Sequence, residues 1–165
     1  MTAPSVVYPG SFDPPTAGHL HVIERASRMF PHVLVAVGHN PRKKTTFTAE
    51  DRQRMLEDST AHLGNVTVEC FTGLLVEYLK TIDARVILKG LRRVDDFANE
   101  LQQAKANRAL LPGIITVFLI SDAHLLYFGS TLVREVARLG GDTTGLISQK
   151  AQAYLVGQVD PFLNP

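Results

Sequence analysis

Cysteine is nearly absent from the sequence, because Cys70 is the only one among 165 residues. A single cysteine excludes an internal disulfide and a cysteine metal cage, and its apolar surroundings predict a small buried hydrophobic side chain. The sequence also lacks an N-terminal basic stretch followed by an apolar segment, and no apolar run approaches about 18 residues. Neither secretion nor membrane insertion is indicated, so we expect a cytoplasmic protein.

An excess of charge of either sign is missing as well. Lysine and arginine together number 17, aspartate and glutamate number 16, and the formal net charge is +1. Proteins that bind nucleic acid or anionic membranes usually carry a strong basic field, so we expect neither of these partners. A local basic cluster is still compatible with a small anionic ligand.

Internal repeats, low-complexity segments and long linkers are also missing, and the length and the 45% hydrophobic content fit one ordinary globular domain. Short β-branched runs, typical of buried strands, alternate with longer helical patterns. Strands are predicted at residues 6–8, 33–37, 66–70, 86–88 and 116–120. Helices are predicted at residues 18–29, 49–62, 74–82, 94–110 and 130–138.

This alternation predicts an α/β fold. We expect a single-domain, Rossmann-like, doubly wound sheet of five parallel strands with helices on both faces. The domain is expected to span residues 1–158, followed by a loose C-terminal tail at 159–165. Thr48 with Asp51 resembles a capping box in which aspartate replaces glutamate. Ligands of such sheets bind at the carboxyl ends of the strands.

The stretch Y-P-G-S-F-D-P-P-T-A-G-H, from Tyr8 to His19, follows the first predicted strand. Residues 9–16 are predicted to form a loop, and Gly18 and His19 to open the first helix. Unpaired N–H groups and the positive end of the helix dipole make such a junction an anion site. T-x-G-H alone is a weak signal, and a lone histidine at a helix start is more often structural.

The complete stretch is far more specific. Y-P-G-S-F-D-P-x-T-x-G-H resembles the signature of the nucleotidyltransferases with an H/T-x-G-H motif, and most closely that of the bacterial phosphopantetheine adenylyltransferase family. The similarity covers almost the entire chain. It continues through N-P-R-K-K at Asn40, T-A-H-L-G-N-V at Thr60, K-G-L-R at Lys89, D-F-x-x-E-L-Q at Asp96 and S-T-L-V-R-E-V-A at Ser130.

The resemblance implies a reaction and its participants. The adenylyl group of ATP would pass to 4′-phosphopantetheine, giving 3′-dephospho-coenzyme A and pyrophosphate. The resemblance also implies a homohexamer and makes coenzyme A a candidate feedback ligand. Magnesium is expected to arrive with the nucleotide phosphates, and no carboxylate cluster in the sequence marks a metal cage made by the protein.

Site residues follow from the same resemblance. It assigns catalytic roles to His19, Lys43, Arg92 and Ser11. It assigns ATP contacts to Ser11, Phe12, His19, Gly90, Leu91, Arg92, Glu100, Ser130 and Thr131. It assigns contacts with 4′-phosphopantetheine to Ser11, Lys43, Leu74, Leu75, Lys89, Asn107 and Glu135. The chain departs from the common family pattern at Lys89, Asn99 and Gly129, where many members have arginine, tyrosine and serine.

Several of these residues also have an ordinary structural interpretation. The basic cluster at residues 40–44 is also typical of a solvated charge run. Leu74 and Leu75 at a helix start are equally compatible with the core. Without the resemblance, Glu100 would be a surface residue, and capping alone would explain one hydroxyl in the Ser130–Thr131 pair.

The implied chemistry needs no general base, because a phosphomonoester with a second pKa near about 6 is mostly ionised at pH 7. Catalysis would then rest on positioning and on donors that stabilise charge in the transition state. A nicotinamide mononucleotide adenylyltransferase shares the first motif but does not account for K-G-L-R with D-F-x-x-E-L-Q. A non-catalytic nucleotide-binding module would not need His19 and Lys43 to converge on one phosphate.

Overall fold

The computed structural model describes residues 4–41, 44–91, 94–120 and 129–156. Its strands are β1 (Val6–Gly10), β2 (Val33–His39), β3 (Val66–Thr72), β4 (Val86–Leu91) and β5 (Ile115–Ile120). Its helices are α1 (Ala17–Met29), α2 (Ala49–Thr60), α3 (Leu75–Thr81), α4 (Val94–Leu110), α5 (Ser130–Arg138) and α6 (Gln149–Val156). The strands form one parallel sheet in the order β3-β2-β1-β4-β5, which confirms the predicted fold class.

The core lies on both faces of this sheet. Alternate residues of a strand point to opposite faces, so Val6 and Tyr8 of β1 pack with Val22 of α1, whereas Val7 packs with Leu79 of α3. Central strands buried on both sides have nearly continuous apolar sequences. This is why the short β-branched runs located the strands.

Four strands are longer at their carboxyl ends than the sequence predicted. The β-branched runs stop early, but parallel pairing continues through less typical residues, such as Gly38 with Phe71 and His39 with Thr72. The strands end at Gly10, His39, Thr72 and Leu91. Two sequence assignments were therefore wrong: Pro9 and Gly10 belong to β1 and not to the loop, and Lys89 to Leu91 belong to β4 and do not follow it.

Helix ends also differ from the predictions. Helix α1 begins one residue early, α2 ends at Thr60, and α3 is one residue shorter at each end, while α4 and α5 have the predicted bounds. At the start of α2, the Thr48 hydroxyl oxygen accepts from the Asp51 N–H at 3.1 Å. The second half of the predicted capping box is different, because the Asp51 carboxylate accepts from the Thr48 hydroxyl at 2.8 Å and not from its backbone.

Helix α6 was not predicted. It is only 8 residues long, and isolated helices of this length are unstable in water, so tertiary contacts must hold it. The Tyr154 hydroxyl donates to the Asp58 carboxylate at 3.1 Å, and the hydroxyls of Ser148 and Ser59 lie 2.7 Å apart. These contacts fasten the end of the described chain to α2.

Cys70 was predicted to be a small buried hydrophobic side chain, and it packs against the core but is less buried than expected. Cys70 is only half-buried because β3 lies at one edge of the sheet, where the strand has a neighbour on one side alone. Its thiol donates to the Ala49 carbonyl at 3.4 Å.

Across the described ranges, no helix is both long enough and apolar enough to cross a membrane. The predicted tail at residues 159–165 lies outside the described residues.

Candidate active site

A pocket of about 400 Å³ opens where β1, β2 and β4 end. Strand β1 lies between β2 and β4. The chain continues from β1 to β2 and β3 in one direction across the sheet, and then to β4 and β5 in the other direction. The pocket therefore lies at the point where the strand order reverses. Parallel α/β sheets bind their ligands at this place. Its lining residues come from four strands, three helices and the loop after β1, and they include Gly10, Ser11, Phe12, His19, Gly38, Phe71, Leu75, Lys89, Gly90, Glu100 and Gln103.

The loop after β1 is held in an unusual conformation at Phe12. This residue has a φ of 48°, in the left-handed region that non-glycine residues rarely adopt. Its ring is buried and packs edge-to-face against Tyr8 at 5.3 Å and against His19 at 5.1 Å. A side chain at position 10 would collide with this ring, because a Cβ on Gly10 would lie 2.8 Å from it. Gly10 therefore makes room for the ring that supports His19.

His19 lies in the first turn of α1, and its ring closes the start of that helix. The backbone N–H of Thr16 donates to Nδ1 of His19 at 3.0 Å, and the Thr16 hydroxyl lies 3.0 Å from the same nitrogen. An amide N–H can only donate, so Nδ1 must be the unprotonated acceptor and the neutral ring carries its proton on Nε2. The contacts with Thr16 and Phe12 thus fix both the tautomer and the orientation of a side chain that lines the pocket.

Asp13 anchors the same loop to neighbouring parts of the chain. Its carboxylate is nearly buried and accepts from the backbone N–H groups of Thr46 and Phe47, each at 2.9 Å. The Arg134 guanidinium lies 3.5 Å from the carboxylate and also donates to the Asp13 carbonyl. Helix α5 and the segment before α2 therefore hold the loop in place.

Ser130 and Thr131, which we expected at the triphosphate, are not among the residues that line the pocket. The Ser130 hydroxyl donates to the Pro14 carbonyl at 2.8 Å, and the exposed Thr131 hydroxyl accepts from Arg134 at 3.2 Å. The alternative interpretation, in which one of these hydroxyls caps α5, does not hold, because Gly129 occupies the N-cap position. Ser130 instead ties α5 to the loop.

Arg52 is a fully buried arginine whose role was not predicted from the sequence. Its guanidinium donates to the Gly38 carbonyl at 3.1 Å and to the Ser11 carbonyl, and its Nε donates to Thr48 at 3.1 Å. Gly38 and Ser11 both line the pocket, so Arg52 joins the tips of β1 and β2 beneath it. A lone arginine in a helical pattern gives no sign that it will be buried. The role of Arg52 in joining the two strand tips is therefore visible only in the structure, where the residue lies on the inner face of α2.

Lys89 and Glu100 meet on the pocket wall. The lysine ammonium lies 3.0 Å from Oε2 of Glu100, and the two side chains are only 14% and 23% exposed. The interpretation of Glu100 as a surface residue was wrong, because the position of α4 over β4 turns this residue inward. The ion pair keeps both charges at the site without leaving either one isolated in a partly desolvated place.

Gly90 also lines the pocket, directly after Lys89. A Cβ here would lie 3.0 Å from Val22 and 3.3 Å from the Tyr8 hydroxyl, so glycine permits the close packing of α1 on β4. Leu91 is half-buried at the end of β4 and is not among the lining residues. Arg92 and Lys43 lie outside the described residues.

The residues expected on the acceptor side divide into two groups. Leu75 lines the pocket and packs against the core, whereas Leu74 is 52% exposed and does not line it. Asn107 is half-buried on α4, one turn beyond Gln103, and Glu135 is exposed on α5. Neither Asn107 nor Glu135 is among the pocket-lining residues.

Phe71 and Gln103 also line the pocket, although neither was predicted from the sequence. Phe71 stacks on Tyr78 with ring centroids 4.9 Å apart, and the Tyr78 hydroxyl donates to Glu69 at 2.7 Å. Burial, followed by this hydrogen bond, raises the pKa of Tyr78 above its usual range. Spacing could have indicated Gln103, because a residue three positions after Glu100 shares its helix face. Phe71 carried no such signal.

Two kinds of similarity to known proteins agree with this geometry. The chain matches the Cytidylyltransferase-like family over residues 7–136. It is 48% identical over 141 residues to the phosphopantetheine adenylyltransferase of Alkaliphilus oremlandii, covering 86% of this chain and 90% of the relative. It is 50% identical over 141 residues to the protein of the same name from Rubrobacter xylanophilus, covering 86% of each. The chain belongs to the phosphopantetheine adenylyltransferase family.

Membership of the phosphopantetheine adenylyltransferase family confirms the resemblance found in the sequence motifs. The fold is also similar to that of a solved structure described as a nicotinate-nucleotide adenylyltransferase from Vibrio parahaemolyticus. The TM-score is 0.72, with 99% of this chain and 98% of the other covered. The two sequences are only 18% identical, so this likeness concerns the fold alone.

Proposed function

We propose that this pocket transfers the adenylyl group of ATP to 4′-phosphopantetheine, with 3′-dephospho-coenzyme A and pyrophosphate as products. The observation that carries the proposal is the 48% and 50% identity to phosphopantetheine adenylyltransferases over most of the chain. The geometry adds a pocket in which a histidine and a lysine converge at the carboxyl ends of the strands.

In the proposed reaction, an oxygen of the acceptor phosphate attacks the α-phosphorus of ATP while the bond to the leaving pyrophosphate breaks. The attacking group is already mostly ionised at pH 7, since the second pKa of a phosphomonoester is near about 6. The site then has to align the two phosphates and stabilise the charge on the transferred group, and it does not need to remove a proton.

His19 is assigned to the α-phosphate. Its Nδ1 accepts from Thr16, which leaves the Nε2–H as the donor of the ring. The start of α1 adds backbone N–H groups and the positive end of the helix dipole. Such fixed donors act where charge accumulates during transfer.

The remaining roles are assigned as follows. Ser11, Lys43 and Lys89 orient the acceptor phosphate, and Arg92 with the first turn of α5 holds the leaving phosphates. At α5, backbone N–H groups serve this purpose better than the Ser130 hydroxyl, which already donates to Pro14. Oε2 of Glu100 is buried without a hydrogen-bond partner and can accept from a donor group of the nucleotide.

Magnesium is proposed as part of the nucleotide substrate. Within the described residues, no group of three or more histidine, cysteine, aspartate or glutamate side chains could hold a metal ion. The metal would therefore enter bound to the triphosphate. We further propose a cytoplasmic homohexamer in which coenzyme A competes for the same pocket.

The test is to incubate the protein with ATP and one acceptor at a time while pyrophosphate release is measured. We expect release with 4′-phosphopantetheine, none with pantetheine, which lacks the attacking phosphate, and little with nicotinamide mononucleotide. Faster turnover of the mononucleotide would instead favour the rival adenylyltransferase. Binding of ATP without release from any acceptor would indicate a non-catalytic module.

A further inference from the structure

Lys89 has one aligned hydrogen bond among the contacts of the described residues, and its partner is Gln103. The ammonium donates to Oε1 of Gln103 at 3.2 Å. Its contact with Oε2 of Glu100 at 3.0 Å is an ion pair outside hydrogen-bond alignment, because that oxygen has no hydrogen-bond partner. Glu100 therefore attracts the ammonium, whereas Gln103 gives it a direction.

A lysine needs such a directing contact more than an arginine does. The ammonium is a compact charge on a flexible stem, while a guanidinium is a rigid fork that can pair with a carboxylate through two parallel bonds. An ion pair without alignment leaves the lysine stem free to rotate. A second, directional partner limits that rotation.

Gln103 is well placed for this purpose. It lies three residues after Glu100 on α4, so both side chains extend from one face of the helix, and both line the pocket together with Lys89. Glutamine is neutral, so it accepts from the ammonium without cancelling its charge. Of the three N–H donors of a lysine, one then binds Gln103, and the others are left for a ligand because the ion pair with Glu100 is not an aligned hydrogen bond.

We propose that Gln103 is a positioning residue that orients the Lys89 ammonium toward the phosphate of the acceptor. This inference rests on the proposed function, because it takes 4′-phosphopantetheine as the acceptor. Gln103 acts through Lys89 and not by touching the phosphate. Its contribution is therefore specific to a phosphorylated acceptor and depends on lysine at position 89.

The test compares calorimetric binding of 4′-phosphopantetheine and of pantetheine to four variants. Gln103→Leu removes the acceptor atom at similar volume. Gln102→Leu is the matched control, because Gln102 is the neighbouring residue on the same helix and is likewise exposed, but does not line the pocket. Hydrogen bonds to charged groups support a loss of about tenfold in affinity for the phosphorylated ligand in Gln103→Leu. Pantetheine affinity, the KM for ATP and the melting temperature should stay unchanged, as should all values for Gln102→Leu.

The other two variants are Lys89→Arg and Lys89→Arg combined with Gln103→Leu. An arginine can pair with Glu100 through its fork, so removing Gln103 in that background should change affinity by less than about twofold. An equal loss in both backgrounds would overturn the proposal, since Gln103 would then touch the ligand directly. An unchanged affinity in Gln103→Leu would overturn it too, as would equal binding of both ligands by the wild-type protein.

Failure of the proposed function would give a different result. Phosphate-dependent binding that follows this pattern, without pyrophosphate release, would refute the reaction and leave the role of Gln103 supported.

Discussion

At the scale of single residues, the two ring nitrogens of His19 have separate tasks. Nδ1 accepts from the Thr16 N–H and closes the start of α1, while Nε2–H is the hydrogen-bond donor that the proposed reaction uses at the α-phosphate. The structural and the catalytic interpretations of this histidine are therefore compatible. Each belongs to one nitrogen, and the two can be separated by substitution.

His19→Ala should remove both tasks, whereas His19→Asn should keep an acceptor near the position of Nδ1 and lose only the outer donor. Loss of one preorganised donor typically lowers kcat by about 10² to 10³. We expect a loss of this size in both variants, nearly normal calorimetric affinity for ATP in both, and a lower melting temperature in His19→Ala alone. A kcat close to that of the wild type in His19→Asn would make His19 a helix-start residue without a role in transfer.

Cys70 allows a prediction about pH. Burial is the main cause that raises the pKa of its thiol, and Glu50 contributes next. A raised pKa in the folded state favours the protonated form, so the stability linked to this thiol is present at low pH and is lost as the pH rises through the folded pKa.

Alkylation by iodoacetamide requires the thiolate. The alkylation rate of the native protein should therefore reach its midpoint at a higher pH than that of the same protein unfolded in urea. Cys70 is the only cysteine, so the mass shift reports this residue alone. Coincident midpoints would show that the fold does not disfavour the thiolate.

At the scale of secondary-structure elements, the site depends on how strand tips and helix starts are joined. Arg52 of α2 bonds carbonyls at the tips of β1 and β2, and Arg134 of α5 bonds the loop at Asp13. Two arginines from different helices thus hold the segment that carries Phe12 and His19. Neither arginine lines the pocket, so both act through the backbone.

Arg52→Met should destabilise the protein strongly. The substitution removes the guanidinium donor from the carbonyls of Ser11 and Gly38, while the Thr48 carbonyl keeps the backbone N–H of residue 52. Each buried acceptor left without a partner typically costs about 1 to 3 kcal/mol. Arg54→Met is the matched control, because Arg54 is exposed on the same helix, and such changes usually stay within about 0.5 kcal/mol. Urea unfolding of both variants measures the difference. Equal free energies of unfolding for Arg52→Met and Arg54→Met would mean that the hydrogen bonds of Arg52 are not needed for stability.

At the scale of the whole molecule, apolar side chains remain exposed at the β5 edge of the sheet. Ile115 and Ile120 are 57% and 71% exposed, and Leu110 at the end of α4 is 53% exposed. An edge strand with exposed apolar residues invites association with another chain. This agrees with the homohexamer that we propose from the family resemblance.

Light scattering should therefore give a mass near six times the 18.1 kDa of one chain. A charged residue in an apolar contact is costly, so Ile120→Lys should shift the protein to smaller species, whereas Thr67→Lys on the opposite edge strand should not. A wild-type protein that scatters as a monomer at micromolar concentration would refute the hexamer.

The sequence by itself determined the sheet, the order of its elements and the family. β-branched runs locate strands that are buried on both faces, and caps such as Thr48 mark helix starts, because both signals arise from neighbours within a few residues. The run from Tyr8 to His19 carried enough specific positions to indicate the chemistry. The extensions of the strands through Gly10, His39 and Leu91 had no such local signal, since pairing with a neighbouring strand alone maintains them.

Only the tertiary structure decided which side chains meet. In the folded chain, Glu100 forms an ion pair with Lys89, and Phe71 and Gln103 line the pocket. The Ser130 hydroxyl donates to the Pro14 carbonyl. Nδ1 of His19 accepts from the backbone N–H of Thr16, and tertiary contacts stabilise α6, which was not predicted. These pairings join residues that are distant in sequence or lie on different elements. Strand order and helix packing bring them together, and neither leaves a periodic pattern in the sequence.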